Sequence, residues 1–103
     1  MPYINIRIGK NLNSLQQQQL FSRTTSLMKH VMGKRAEVTV VHLQESEPHL
    51  WSTHATVLNN KDPVGAYVDI KVTEGTNTPE EKAEMLSQTV KMLQETVGAI
   101  RHA

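Results

Sequence analysis

A proline stands at the second position of the chain, directly after Met1. A small second residue permits removal of the initiator methionine, and Pro2 then carries a free secondary amine. Terminal amines titrate at about 7.7–8.0. Such a group can take up and release protons near neutral pH, which is what a general base must do. Taken alone, Pro2 would equally suit the start of a strand. His42, His49 and His54 are the other grouping with chemical potential. Their spacing matches no metal-binding pattern, and neither a cysteine nor a carboxylate cluster joins them, so no metal is expected. Surface or supporting positions suit these histidines better. The chain has no cysteine, which excludes a thiol nucleophile and a disulfide framework.

The elements around Pro2 follow from periodicity. Between Pro2 and Ile8 the residues alternate, with Ile4, Ile6 and Ile8 on one side and Tyr3, Asn5 and Arg7 on the other. That pattern predicts a half-buried strand. Asn13 or Ser14 can cap a following helix, and Asn13 with Gln16 has the spacing of a capping box. Leu20, Phe21, Leu27, Met28, Val31 and Met32 recur at helical spacing, and Gly33 suits the helix end. The run Gln16–Gln19 reads as a solvated helix face. A second strand is expected over Val38–Leu43, which completes a right-handed β-α-β unit.

The design then recurs. Tyr3-Ile4-Asn5-Ile6-Arg7-Ile8 matches Tyr67-Val68-Asp69-Ile70-Lys71-Val72 at an offset of 64 residues. Asn13-Ser14 matches Asn77-Thr78 at the same offset. A strand over Ala66–Thr73 directs Val68, Ile70 and Val72 inward. Thr78-Pro79-Glu80-Glu81 is a helix start, with a capping threonine, proline in the first turn and a glutamate three residues after the cap. Met85, Leu86, Val90, Leu93 and Val97 form its expected apolar stripe, and Gly98 its stop. Only Ala99–Ala103 follow, so the second copy is expected to lack its final strand. Glu47-Pro48 marks a turn, Thr53–Leu58 a short strand, and Asn59–Pro63 a loop. The expected fold class is α/β, with duplicated β-α-β units and both helices on one face of the sheet. One domain spans 1–103: a first unit over 1–45, a linker or hairpin over 46–65, and a second β-α unit over 66–103.

With 103 residues the core is thin, and a sheet covered on one face needs cover on the other. A symmetric oligomer is therefore expected. The net charge is +1, and only 4% of residues are aromatic. Neither a Lys/Arg run nor a stacking surface for bases is present, so no nucleic-acid partner is expected. No apolar stretch approaches the ~20 residues of a membrane span, so no membrane association is expected. The start reads as a strand rather than a signal peptide, and a cytoplasmic location is expected.

The combination of Met1-Pro2, an alternating strand, a helix and a second strand resembles the tautomerase superfamily, which includes 4-oxalocrotonate tautomerase and macrophage migration inhibitory factor. Three stretches carry the resemblance: PYINIRIG at the start, MGKRAEVTVVHL after the first helix, and SEPHLWST, where the family places an aromatic pocket wall. It covers residues 2–98, and the duplication is similar to the longer branch. The resemblance implies a cofactor-independent tautomerase or isomerase acting on small 2-keto or enol acids, with Pro2 as general acid–base. It implies pockets between subunits, here of a homotrimer. Lys34 and Lys10 would hold the substrate carboxylate, with Lys71 and Arg7 as further candidate cations and Trp51 lining the pocket. Desolvation and nearby cations would lower the amine pKa, and the cations would stabilise charge on an enolate oxygen. The hexameric branch has an arginine shortly after the first strand, where the nearest cation here is Lys10, and another in the second strand, where this chain has Thr39. Two alternatives stay open: a dehalogenase- or hydratase-type member, in which a cationic proline protonates the substrate, and a non-catalytic oligomeric interaction protein on the same fold.

Overall fold

Alternation of β-branched and polar residues, interrupted by two well-capped amphipathic segments, produces a four-stranded sheet with two helices on one face. A computed structural model describes residues 2–53, 55–58, 63–73 and 75–102. The strands are β1 (Tyr3–Ile8), β2 (Val40–Glu45), β3 (Ser52–Thr53), β4 (Thr56–Val57), β5 (Val64–Lys71) and β6 (Ile100–His102), and the helices are α1 (Ser14–Met32) and α2 (Pro79–Val97). The main sheet runs β2-β1-β5-β6, while β3 and β4 form a small separate hairpin. β2 is parallel to β1, β6 is parallel to β5, and the central pair β1–β5 is antiparallel.

The repeat explains the central pairing. Tyr3 stands opposite Lys71 and Arg7 opposite Tyr67, while Asn5 faces its own repeat partner Asp69. Residues 64 apart are therefore exchanged by a local two-fold that passes between Asn5 and Asp69. Side chains directly opposite share a face. Ile4, Ile6 and Ile8 thus join Ile70, Val68 and Ala66 under the helices, and Tyr3, Asn5 and Arg7 join Lys71, Asp69 and Tyr67 on the open face. The three isoleucines have no exposed surface and sit at the centre of the core.

Both helix starts form as the residue pattern requires. Asn13 Oδ1 accepts from Gln16 N at 2.8 Å, and Gln16 Oε1 accepts from Asn13 N at 3.1 Å. Thr78 Oγ1 accepts from Glu81 N at 3.1 Å, and Glu81 Oε1 accepts from Thr78 N at 2.9 Å. Gly33 ends α1 in the left-handed region at φ 67°, where a glycine carries no steric penalty. Thr78→Ala removes the accepting oxygen and is expected to lower the unfolding free energy by about 1 kcal/mol, seen as a lower urea midpoint. Hydrogen bonds from the Thr78 backbone and then the Asn77 amide hold Glu81 below the usual carboxylate range. A carboxylate lowered in the folded state adds stability above its unfolded pKa, about 4.3, and loses it as the pH falls through the folded value. The stability gap between the wild type and Glu81→Ala should therefore close on acidification below that range.

Several boundaries and faces differ from the sequence expectation. Residues Ala36–Val38 form a turn of 3-10 helix, and β2 starts only at Val40. Thr39 is held in that turn by its hydroxyl, which donates to Arg35 O at 2.7 Å. β5 starts two residues before Ala66, at Val64. Within the expected linker or hairpin, the short strand anticipated over Thr53–Leu58 is two short strands, β3 and β4, paired as a hairpin. The second unit does close: β6 pairs with Val64–Ala66, correcting the expectation of a missing final strand. In α1 the inward row is Leu20, Thr24, Met28 and Met32, with Phe21 37% exposed at its edge. In α2 it is Met85, Thr89, Met92, Leu93 and Val97, and Leu86 is turned outward. Thr89 is tolerated inside because its hydroxyl donates to Met85 O at 2.7 Å. Gln16 and Gln17 are more than a solvated face, since their amides donate to Thr96 O and Glu45 Oε1. No helix among the described residues is long and apolar enough to cross a membrane.

Candidate active site

Pro2 is buried at the head of β1, a central strand of the sheet, and its carbonyl accepts from Val40 N at 3.0 Å. The chain passes up β1 and returns along α1, so the end of α1 comes back to the Pro2 end of the sheet. Lys34 follows Gly33 there. Its ammonium donates to Thr76 Oγ1 at 2.8 Å, and that hydroxyl donates in turn to Thr73 O at 2.6 Å. Asn77 Nδ2 donates to Met32 O at 2.8 Å, a second stitch between the β5–α2 loop and the end of α1. Lys71 lies on the open face opposite Tyr3, 3.7 Å from the Asp69 carboxylate and 70% exposed. Three of the candidate residues, Pro2, Lys34 and Lys71, are thus gathered at one end.

Trp51 and Lys10 lie at the other end. Lys10 follows Gly9, just past the end of β1. The indole of Trp51 covers the backbone of Gly9 and Gly65, which are joined by Gly9 N donating to Gly65 O at 2.8 Å. A Cβ on either glycine would stand 2.6 Å from the ring. Space, not backbone conformation, is what requires glycine here. The indole N–H donates to Ser46 Oγ at 2.8 Å and fixes the ring in its plane. Gly65→Ala is expected to expel the ring, and Trp51 is the chain's only tryptophan. A red-shifted emission in the variant checks this, and unchanged emission would show that the seat is not used.

Arg7 occupies the open face one rung pair away from the glycines. Its Nε donates to Gln44 Oε1 at 3.2 Å, and its guanidinium carbon lies 5.4 Å from the centre of the Tyr67 ring, within cation–π range. At ~3.3 Å per residue, the length of β1 separates the Pro2 end from the Trp51 end by roughly 20 Å. The six candidates therefore do not form one pocket within a single chain.

The open face also carries a cluster that periodicity alone did not reveal. His42 Nδ1 accepts from Asn5 Nδ2 at 3.0 Å and lies 3.2 Å from the Tyr3 hydroxyl. Asn5 is 4% exposed, and its Oδ1 has no partner among the described residues. An asparagine set among alternating isoleucines was the available signal, but its link to His42 depends on the β1–β2 register. His49 is exposed on a separate 3-10 turn, and His54 lies outside the described residues. Among the described residues no three histidine or carboxylate side chains converge as metal ligands.

No protein-family model matches the chain. It is 38% identical over 52 residues to a protein described as "Probable tautomerase K2" from Dickeya dadantii, a match spanning 50% of this chain and 78% of that protein. Its fold is similar to that of a fused 4-OT symmetric trimer, with a TM-score of 0.83 at 16% identity over 98% of this chain and 81% of the other. It is also similar to Pt0534 inactivated by 2-oxo-3-pentynoate, with a TM-score of 0.79 at 20% identity over 95% of this chain and 76% of the other.

Proposed function

Because this chain belongs to the tautomerase superfamily, we propose that it catalyses keto–enol proton transfer on small 2-keto or enol acids, with Pro2 as the general acid–base. The observation that carries this reading is the burial of Pro2 at the head of a central strand, at the sheet end shared by Lys34 and Lys71. Once Met1 is removed, the Pro2 amine accepts a proton from one site of the substrate, carbon or oxygen, and returns it to the other. The net reaction moves one proton within one molecule, so no redox partner is consumed. The Lys34 and Lys71 ammonium groups offset the negative charge that builds on the carboxylate and enolate oxygens in the transition state. Lys34 is steadied for this by Thr76, whose hydroxyl accepts from its ammonium.

Lys10 and Trp51 enter the pocket from a second copy, since one chain holds them roughly 20 Å from Pro2 along β1, and Arg7 enters with them from about 16 Å along the same strand. This supports a homotrimer with pockets between subunits. Closing the copies over the open face would also cover Tyr3, Asn5 and His42. A trimeric mass is expected in light scattering at micromolar concentration, and a monomeric mass would sink the shared pocket.

The chemistry is tested with 2-oxo-3-pentynoate, the compound that inactivates Pt0534. The Met1-free protein is expected to gain one adduct per chain, mapped by mass spectrometry to Pro2. Absence of labelling, or labelling spread over lysines, would remove Pro2 as the reactive amine.

A further inference from the structure

Tyr3, Asn5 and His42 meet on the open face over β1 and β2, on the flank of the sheet away from β6. Their hydrogen bonding is unbalanced. In a neutral imidazole the unprotonated nitrogen is the one acceptor. His42 Nδ1 is approached by two donors, Asn5 Nδ2 at 3.0 Å and the Tyr3 hydroxyl at 3.2 Å. Asn5 Oδ1 can accept twice and is approached by no donor among the described residues, although Asn5 is only 4% exposed. Folding normally avoids a buried oxygen without a donor.

A proton on His42 would rearrange the cluster. An imidazolium donates from both nitrogens, so it no longer accepts from the Asn5 amide. A half-turn of that amide keeps its shape and puts Oδ1 where Nδ2 stood. Nδ1–H then donates to Oδ1, and Nδ2 takes over the unpartnered position. The surroundings bear on the cost of that proton. On β2 the same-face neighbours of His42 are Val40 and Gln44, which carry no charge. β1 adds Tyr3 and Arg7, whose guanidinium reaches Gln44. β5 adds Tyr67, Asp69 and Lys71, with Asp69 opposite Asn5 and 3.7 Å from the Lys71 ammonium. Arg7 and Lys71 outnumber Asp69, so a charged His42 joins a face that is already net positive.

We propose that Asn5 and His42 form a proton switch that controls the closing of a second copy over the open face. The proposal rests on the homotrimer reading given above. With His42 neutral, Asn5 Oδ1 accepts from an N–H or O–H of the second copy. With His42 protonated, Nδ2 stands there instead, a donor set against a donor, and positive charge is added between the copies. Association is therefore favoured above the range in which histidines titrate and is lost as the pH falls through it. A second copy is the occupant because this face carries both signs of charge together with an acceptor that lacks a donor, which lets it meet another copy of the same chain.

The test follows the Asn5 side-chain amide and the His42 ring nitrogens by nitrogen-15 spectroscopy on the Met1-free protein, alongside its mass by light scattering. At about pH 8 the His42 proton is expected on Nε2, and the Asn5 amide signals should move together with the His42 ring as the pH is lowered to about 5.5. Over the same range the concentration at which half the protein is trimeric should rise about tenfold or more. In His42→Gln, which cannot take up the proton, both changes should vanish while the trimer persists. A proton already on Nδ1 at the upper pH, or Asn5 signals that do not follow His42, would overturn the switch. So would an equal loss of trimer on acidification in His42→Gln, which would place the effect on carboxylates. A monomeric mass at every pH would overturn the homotrimer and the control of assembly with it, whereas labelling of Pro2 by 2-oxo-3-pentynoate reports on the chemistry separately.

Discussion

Ketonisation of phenylenolpyruvate by the Met1-free protein is expected to fall by about 10²–10⁴-fold in Pro2→Ala, the span that general-base catalysis supplies. The assay is a change in ultraviolet absorbance. Pro2 leads into a central strand with its carbonyl tied to Val40, so its ring nitrogen has little freedom to wander. Alanine keeps an amine at the terminus, but a primary one free to rotate away from the substrate. A form that retains Met1 should be equally inactive, because its Pro2 nitrogen is an amide without a basic lone pair. A fall confined to these two forms, with folding intact, would identify Pro2 as the base. Equal background rates in the wild type and the variant would favour a fold kept for binding, or a different substrate.

Ile6→Ala is expected to destabilise the fold by about 2–5 kcal/mol, read from urea unfolding. Ile6 has no exposed surface, and its strand is flanked on both sides, with Leu43 and Val68 as register partners. Truncation leaves a void that neither neighbour can fill without moving a whole strand. Leu86→Ala offers the contrast. The sequence stripe placed Leu86 in the core, yet the structure turns it outward, so its loss should stay within about 0.5 kcal/mol. Comparable costs for the two substitutions would contradict the observed orientation of α2.

Much of the architecture is legible in short-range pattern. Capping depends on residues three apart, so Asn13–Gln16 and Thr78–Glu81 announced both helix starts correctly. Alternation along β1 identified its buried and open faces. Helix faces were less legible where a threonine took an inward position. Thr24 and Thr89 interrupt the apolar stripes, and Phe21 and Leu86 drew the inferred faces toward themselves. The short closing strand was missed because three residues carry too little periodicity to register. They become a strand only because β5 presents an edge for them.

Of the proposed site, the sequence pointed to the residue types and the structure to their distribution. Pro2 was visible from its position, and Trp51 from its rarity and its surrounding stretch. That Pro2, Lys34 and Lys71 share one end of the sheet while Lys10 and Trp51 share the other depends on the path of the chain through α1 and the β1–β5 pairing. Thr76 as the partner of Lys34, and His42 as the partner of Asn5, are contacts across 42 and 37 residues. No local pattern specifies such pairs, because strand register is set by the collective packing of one face.

By itself, the sequence determined the duplication, the five principal strand and helix segments of its two units, and the chemical candidacy of Pro2. These rest on side-chain period, capping and residue chemistry, which act over a few neighbours or on one residue alone. The tertiary structure decided the rest: the seat of Trp51 on Gly9 and Gly65, the separation of the candidate site into two ends, and the pairing of β6 with β5 that closes the second unit. Each of these depends on which distant segments touch, and contact between distant segments is decided only when the whole core closes.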